Sequence, residues 1–162
     1  NAVYEVISTI MSDGRMARLY KSLVEDKRVA LVAEGQNGFP GDKYPNLMLF
    51  YAQTAPKATV DQAEKALRQE IERLKTEPVS QEELERAKNQ LQSSLLRSLD
   101  SNMGMARLLT EYQVKTGDWR NLFNQLEAIA AVTPADIQRV AQETFTPENR
   151  TIGRILSEGS PK

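Results

Sequence analysis

The amino-acid sequence predicts an α+β fold, a two-layer sandwich in which one mostly antiparallel sheet is covered by a helical layer. Two β-like runs, "RVALVAEGQ" and "LMLFYAQTA", follow each other across the Gly/Pro-rich connection "GFPGDKYPN", as the strands of a hairpin do. Apolar residues then recur at helical spacing from Thr59 to Phe145. Because these helices are grouped rather than alternating with strands, one sheet with one helical layer is favoured.

The chain begins with two predicted helices. The first stops at Gly14, and the second runs from Arg15 to Asp26. Because "NAVYEVISTIM" resembles the middle of a helix, we expect the chain to be an excised fragment that starts inside a helix. The apolar residues are Val3, Val6, Ile7, Ile10 and Met11 in the first helix, and Met16, Leu19, Tyr20 and Leu23 in the second.

Capping signals divide the long helical part. A Ser or Thr followed three residues later by Glu or Gln has the spacing of a capping box, and this occurs on both sides of a break at Pro78. Thr133 before Pro134 is predicted to open the last helix, and a kink or break is predicted near Gly104. "RTIGRIL" is predicted as a last strand that returns to the sheet, and "SEGSPK" as a loose tail. The capping pairs are Thr59 with Gln62 and Ser80 with Glu83.

Composition limits the chemistry that the chain can perform. Its 162 residues suit a single domain, and 21 basic against 22 acidic residues leave no basic field of the kind that binds nucleic acid or anionic membranes. No apolar run approaches the ~20 residues of a membrane span. There is no Cys, and there is no His, the commonest metal ligand and the usual base near neutral pH. Any site must therefore use carboxylates, hydroxyls, Lys or Arg, and no compartment is specified.

Two short segments could be taken for ligand sites, but each has a simpler explanation. Glu82, Glu83 and Glu85 lie together at a helix start, where carboxylates cap the helix and compensate its dipole. No His or spaced Asp completes a metal ligand set there. The connection "GFPGDKYPN" places glycines near a lysine but lacks the spacing of a phosphate-binding loop. Neither segment predicts a site.

Hydroxyl and aromatic side chains give no stronger signal. Ser93, Ser94 and Ser98 have no histidine to activate them, and a Ser–Lys pair would need Lys88, which we predict to face solvent. Trp119 lies at a helix junction, where a single Trp is usually a packing anchor in a core or an interface. A polar helix face and a packing role are therefore favoured.

The second helix carries a basic face. Arg15, Arg18 and Lys21 are spaced three apart, so successive members are neighbours on one side of the helix, which could bind an anion or a partner. Glu25 and Asp26 follow, and the net surplus is one charge. A solvated face is favoured. A binding role for Arg15 and Arg18 stays open, because basic residues near a helix start oppose the helix dipole.

Two segments together resemble a known family. "DGRMARLYKSLVEDKRVA" resembles the "GxxSRLYxxLVxxxxLA" element of the pitrilysin/insulinase family of zinc metallopeptidases, with Ala17 in place of the family's Ser. The stretch from "VSQEELERAKNQ" through "TGDW" and "VTPADIQRVAQ" to "NRTIG" resembles the long helical tail of the same family, which includes the mitochondrial processing peptidases. The resemblance covers nearly the whole chain.

The resemblance implies that the chain, residues 1–162, is a single α/β domain, the C-terminal half of a larger peptidase domain of the processing-peptidase type. The zinc motif of the family, H-x-x-E-H, and its third ligand, a glutamate, belong to the N-terminal half. Zinc is therefore expected there, and we expect no catalytic, metal-binding or substrate-binding residue in this chain. The expected partners are the N-terminal half, a second family domain or subunit, and the parent's peptide substrate, but no nucleic acid.

The family also offers a discriminating pair. Its noncatalytic domains often carry an Arg and a Tyr, seven positions apart, that contact substrate. When the family pattern "LREKRGLAY" is laid on "LVEDKRVAL", Val24 stands where the Arg would be and Leu31 where the Tyr would be, so both are missing. This departure favours the C-terminal half of the catalytic domain of a zinc metalloendopeptidase, inactive by itself. The alternative is a domain of a noncatalytic structural or partner subunit. A small anion- or nucleic-acid-binding module that uses the basic helix ranks last.

Overall fold

The computed structural model describes residues 2–41 and 43–156. This part of the chain contains a two-stranded sheet, six α-helices and one π-helix, in agreement with the predicted α+β class. In chain order the elements are α1 (Ala2–Ser12), the π-helix (Tyr20–Asp26), β1 (Ala30–Phe39), β2 (Leu47–Thr54), α2 (Val60–Thr76), α3 (Gln81–Leu99), α4 (Asn102–Thr116), α5 (Asn121–Ala131) and α6 (Pro134–Thr144).

The two strands form the predicted antiparallel hairpin. Gly35 of β1 lies opposite Phe50 of β2, and a Cβ at Gly35 would come within 2.6 Å of the Phe50 ring. The Phe50 ring meets Phe145 edge to face, with 5.6 Å between the ring centroids. A glycine at position 35 therefore lets an aromatic ring cross β1 and join the sheet to the end of α6.

Helix α1 lies at the centre of the molecule. It contacts β1 on one side and α3, α5 and α6 on the others. Four of its apolar residues, Val6, Ile7, Ile10 and Met11, are almost completely buried. The Tyr4 hydroxyl is 2.7 Å from the Thr144 hydroxyl, so α1 is joined directly to the end of α6.

The predicted helix starts are confirmed. The Thr59 side chain accepts a hydrogen bond from the backbone N–H of Gln62, and the Gln62 side-chain oxygen accepts one from the backbone N–H of Thr59. Thr133 forms a second complete capping box with Asp136, and Pro134 stands at the first helical position. At the start of α3 only half of the predicted capping box forms: the Ser80 hydroxyl accepts from the Glu83 N–H, but the Glu83 carboxylate binds Arg18 and not the Ser80 backbone.

The break predicted near Gly104 falls slightly earlier. Helix α3 ends at Leu99, and Ser101 caps α4 by accepting a hydrogen bond from the Gly104 N–H, 3.0 Å away. Gly104 lies in the first turn of α4, where an added Cβ would stand 2.1 Å from the Ser98 carbonyl oxygen. The glycine therefore permits the close approach of two helices rather than ending one.

The second predicted helix has a different geometry from the expected one. Residues 13–17 form bends and turns, so the helix begins only at Arg18 and leaves Met16 outside it, and from Tyr20 the helix is a π-helix. Leu19 and Leu23 are fully buried as predicted and Tyr20 is half-buried, but Met16 is 51% exposed, and Ala17 is buried instead. The assignment of Met16 to the apolar face was wrong.

The prediction of a last strand was also wrong. Residues 151–156 are exposed and pair with neither strand of the described sheet. Arg154 instead binds two carboxylates of α2, Asp61 at 2.9 Å and Glu64 at 2.5 Å. The ion pairs hold this segment beside a helix. The predicted loose tail, residues 157–162, lies outside the described residues.

Candidate functional site

The basic helix and the acidic start of α3 meet in one cleft. This charged cleft has a volume of about 580 Å³ and lies where the π-helix, the end of α2 and the start of α3 converge. Five basic and four acidic residues line it, so its charges nearly cancel. They are Arg18, Lys21, Lys27, Arg73, Arg86, Asp26, Glu70, Glu82 and Glu83.

Arg18 and Glu83 form the best-defined contact in the charged cleft. Arg18 Nε and Nη2 each donate to a different carboxylate oxygen of Glu83, both at 2.7 Å. The two side chains are only 11% and 15% exposed. A bidentate pair of this kind is short, directional and shielded from solvent. The prediction that the charges of the basic helix are mostly solvated was therefore wrong for Arg18, whereas Arg15 is exposed.

A second ion-pair cluster occupies the other wall. Glu70 is 3% exposed, and its carboxylate lies 2.9 Å from Arg73 Nη1 and 3.7 Å from Lys27 Nζ. Arg73 also binds Glu77 at 3.0 Å. This hydrogen bond raises the pKa of Arg73 and lowers the pKa of Glu77. A buried carboxylate requires such partners, because an unpaired charge would be costly to bury.

The charged cleft is therefore organised for internal attachment rather than for binding an anion. Arg18, Lys27 and Arg73 already have carboxylate partners within the protein. The surplus of one positive charge in the lining equals the surplus along the basic helix. The cleft fixes the basic helix to α2 and α3, and its geometry favours neither an anion site nor a nucleic-acid interface.

The carboxylates of Glu83 and Glu85 at the start of α3 bind different partners and do not converge on one point. Glu83 binds Arg18, and Glu85 accepts a hydrogen bond from Gln81 at 2.8 Å. Among residues 2–41 and 43–156, no group of three or more His, Cys, Asp or Glu side chains could hold a metal ion. The described residues do not fit a zinc site.

Lys88 lies in a position that the sequence did not predict. It is 9% exposed rather than solvent-facing, and its Nζ donates to the Ala130 carbonyl oxygen at 2.8 Å. Ser94 and Ser98 bond instead within α3, where the Ser98 hydroxyl donates to the Ser94 carbonyl at 2.9 Å. The lysine anchors the end of α5, so the geometry provides no Ser–Lys pair.

Trp119 lies on the surface at the junction of α4 and α5. It is 38% exposed, with Phe123 edge to face at 6.2 Å between centroids and the Arg120 guanidinium 4.6 Å from the ring centroid. A core role is therefore excluded, and a role in an interface stays a prediction. Its neighbourhood is a small aromatic surface with a cation stacked on it.

The remaining sequence candidates are placed as follows. The connection between the strands brings Lys43 over the Tyr44 ring, 5.5 Å from its centroid. Val24, where the family pattern would have Arg, is half-buried against the core. Leu31, where it would have Tyr, is 52% exposed on β1 at an irregularity of the hairpin register. Within residues 2–41 and 43–156, no helix is long and apolar enough to cross a bilayer.

The fold and the charged cleft define an α+β domain whose basic helix is joined to α2 and α3 by internal ion pairs. The model of a protein family described as "Peptidase M16 inactive domain" matches residues 1–91. The chain belongs to the peptidase M16 inactive-domain family, in agreement with the resemblance noted in its sequence.

Solved structures give the same result. A predicted zinc protease from Bordetella pertussis is similar with a TM-score of 0.82 and 30% identity, covering 96% of this chain and 84% of that one. The inactive peptidase domain of a predicted zinc protease from Bordetella parapertussis is similar with a TM-score of 0.84 and 31% identity, covering 96% and 82%. The second neighbour is itself an inactive domain.

Curated relatives are much longer than this chain. "Zinc protease PqqE" of Helicobacter pylori is 26% identical over 147 residues, which are 91% of this chain and 32% of the relative. "Probable mitochondrial-processing peptidase subunit alpha" of Schizosaccharomyces pombe is 44% identical over 69 residues, which are 42% of this chain and 14% of the relative. The chain thus spans a third or less of these proteins.

Proposed function

We propose that this chain is the C-terminal, non-zinc-binding half of the catalytic domain of a zinc metalloendopeptidase, and that residues 1–162 form a single domain there. The observation that carries the proposal is the similarity to a named zinc protease over 91% of this chain but only 32% of that protein. The remaining two thirds of such a parent leave room for the H-x-x-E-H half.

The role of the chain in the parent would be architectural. With no histidine in the sequence and no metal cluster among the described residues, it would hold neither the zinc nor the catalytic base. Its buried α1 and the charged cleft give a rigid body that would pack against the N-terminal half and form part of the wall of the peptidase chamber. A second family domain or subunit would complete the assembly, as the word "subunit" in the name of the fission-yeast relative suggests.

The proposal is tested with the isolated chain and its parent. We expect the 162-residue protein to take up no stoichiometric zinc by elemental analysis and to leave a library of quenched fluorescent peptides uncut. The parent should cleave some of those peptides, and a Gln in place of the motif glutamate should abolish cleavage. Chelator-sensitive cleavage by the isolated chain would refute the proposal. A parent without H-x-x-E-H and without activity would establish the scaffold alternative instead.

A further inference from the structure

The outer side of α4 carries a stripe of residues that no other part of the described chain covers. The α4 groove, about 530 Å³ in volume, is lined along one helix face from Met103 through Ala106, Arg107 and Thr110 to Val114, with Lys43 at its edge. The positions follow i, i+3, i+4, i+7 and i+11, so they mark one face over three turns, about 16 Å at 1.5 Å per residue.

Helix α4 is apolar on two sides, and only one side is used by the described chain. Leu108 is buried on the inner side, where α4 packs against α3 and α5. On the other side Met103 is 80% exposed and Val114 is 63% exposed. A helix that is apolar on more than one face normally packs against elements on both.

The rim of the α4 groove is positively charged. Lys43, Arg107 and Lys115 line it, and Glu111 is the one acidic residue among its lining residues. Glu111 is already bound by Lys115. Arg107 has no hydrogen bond or ion pair to any of the described residues. The floor is apolar and the rim carries a surplus of two positive charges.

We propose that the α4 groove docks an amphipathic helix of a partner protein, apolar along one face and flanked by Asp or Glu. Small side chains, Ala106 and Thr110, lie between the larger Met103 and Val114, and this leaves a straight depression of the kind into which a second helix packs. Because a helix satisfies its own backbone hydrogen bonds, it can lie on an apolar floor, whereas an extended peptide would leave backbone groups unpaired against α4.

Charge also discriminates against a second copy of this chain. A two-fold contact through the same surface would place Arg107 and Lys43 of one copy near those of the other, and like charges in an interface are repulsive. An acidic helix gains from the same charges. The proposal is independent of whether the parent cleaves peptides.

The test uses a fluorescein-labelled synthetic helix of three to four turns, with Leu on one face and Glu on both flanks, in two registers. Fluorescence anisotropy with the 162-residue protein should show saturable binding below about 100 μM. A probe with Lys in place of Glu should bind at least about tenfold more weakly, and added salt should weaken the Glu probe. Met103→Gln with Val114→Gln should lower affinity about tenfold or more. Arg107→Glu brings the net charge of the rim from two positive to zero, so it should remove the preference between the Glu and Lys probes.

A matched control is Ile155→Gln, which replaces an apolar residue that is 96% exposed but lies outside the α4 groove, and it should leave binding unchanged. Circular dichroism should show that all variants stay folded, since every changed residue is exposed. The proposal would be overturned if neither register of the Glu probe showed saturable binding. Equal affinity for the Glu and Lys probes would also overturn it. Concentration-dependent dimerisation that Val114→Gln abolishes would assign the face to a second copy and also overturn it.

Discussion

The Arg18–Glu83 pair gives the sharpest test of how the charged cleft holds the fold together. Glu83→Gln removes the carboxylate charge but keeps a side chain of the same shape with one acceptor oxygen. Helix initiation should be little affected, because the hydrogen bond to the Ser80 cap comes from the Glu83 backbone. The change therefore removes mainly the counter-charge of Arg18, together with a helix-dipole contribution of about 0.3–1 kcal/mol from a carboxylate in the first turn of α3.

The burial of the pair sets the size of the expected effect. Removing one partner of a fully buried ion pair costs about 3–5 kcal/mol, since the other charge stays buried without compensation. The pair is 11% and 15% exposed and Gln retains part of the hydrogen bonding, so we expect about 2–3 kcal/mol. For a domain of this size that lowers Tm by roughly 5–10 °C.

Urea denaturation followed by circular dichroism measures the change in unfolding free energy. Replacing both partners by apolar residues, Arg18→Met with Glu83→Leu, should cost less than Glu83→Gln alone, because neither charge then remains buried. The matched control is Glu143→Gln, which breaks an ion pair whose members are 56% and 62% exposed and should cost less than about 0.5 kcal/mol. If Glu83→Gln costs no more than this control, the cleft does not stabilise the fold.

Three further perturbations test other features. Gly35→Ala should cost about 1–3 kcal/mol because its Cβ would meet a phenylalanine ring at 2.6 Å, whereas Gly153→Ala, with open space around it, should stay within about 0.5 kcal/mol by urea denaturation. Lys88→Ala removes the hydrogen bond to the end of α5 and should cost about 2 kcal/mol, while the exposed Lys65→Ala should cost about 0.5 kcal/mol or less; equal losses would contradict the anchoring role. Hydrogen bonds from the capping threonine hydroxyl and backbone lower the pKa of Asp136 below its ordinary value. Its stabilising contribution is thus complete above the ordinary carboxyl pKa and is lost as pH falls through the lowered value. The difference in Tm between the protein and its Asp136→Asn variant should therefore be smaller in acid than at neutral pH. A difference that grows in acid would contradict this prediction.

Features set by neighbouring residues could be predicted from the sequence. The N-caps at Thr59 and Thr133 depend on residues within three positions of the cap, and both form as expected. The hairpin follows from two β-like runs with a short connection. The family resemblance supplied the inactive-domain assignment, which composition and periodicity alone could not reach.

Features set by distant residues could not be predicted. Arg18 and Glu83 are 65 positions apart, and no local pattern links them. The charge of Lys88 predicts a solvent-facing side chain, yet its long stem crosses to α5 and only its tip needs a polar partner. The segment around Arg154 has the composition of a strand, but two carboxylates on α2 hold it elsewhere. The rim of the α4 groove likewise needs Lys43 from the hairpin connection, far away in sequence.

The central position of α1 has a consequence for synthesis on the ribosome. This helix is made early in the described chain, but it packs against α6, which is made more than a hundred residues later, and the contact of Tyr4 with Thr144 closes that distance. Until α6 has left the exit tunnel, the apolar side of α1 that it covers stays bare. A nascent chain stalled before α6 should therefore recruit a chaperone that binds exposed apolar helices, and one stalled well beyond α6 should not.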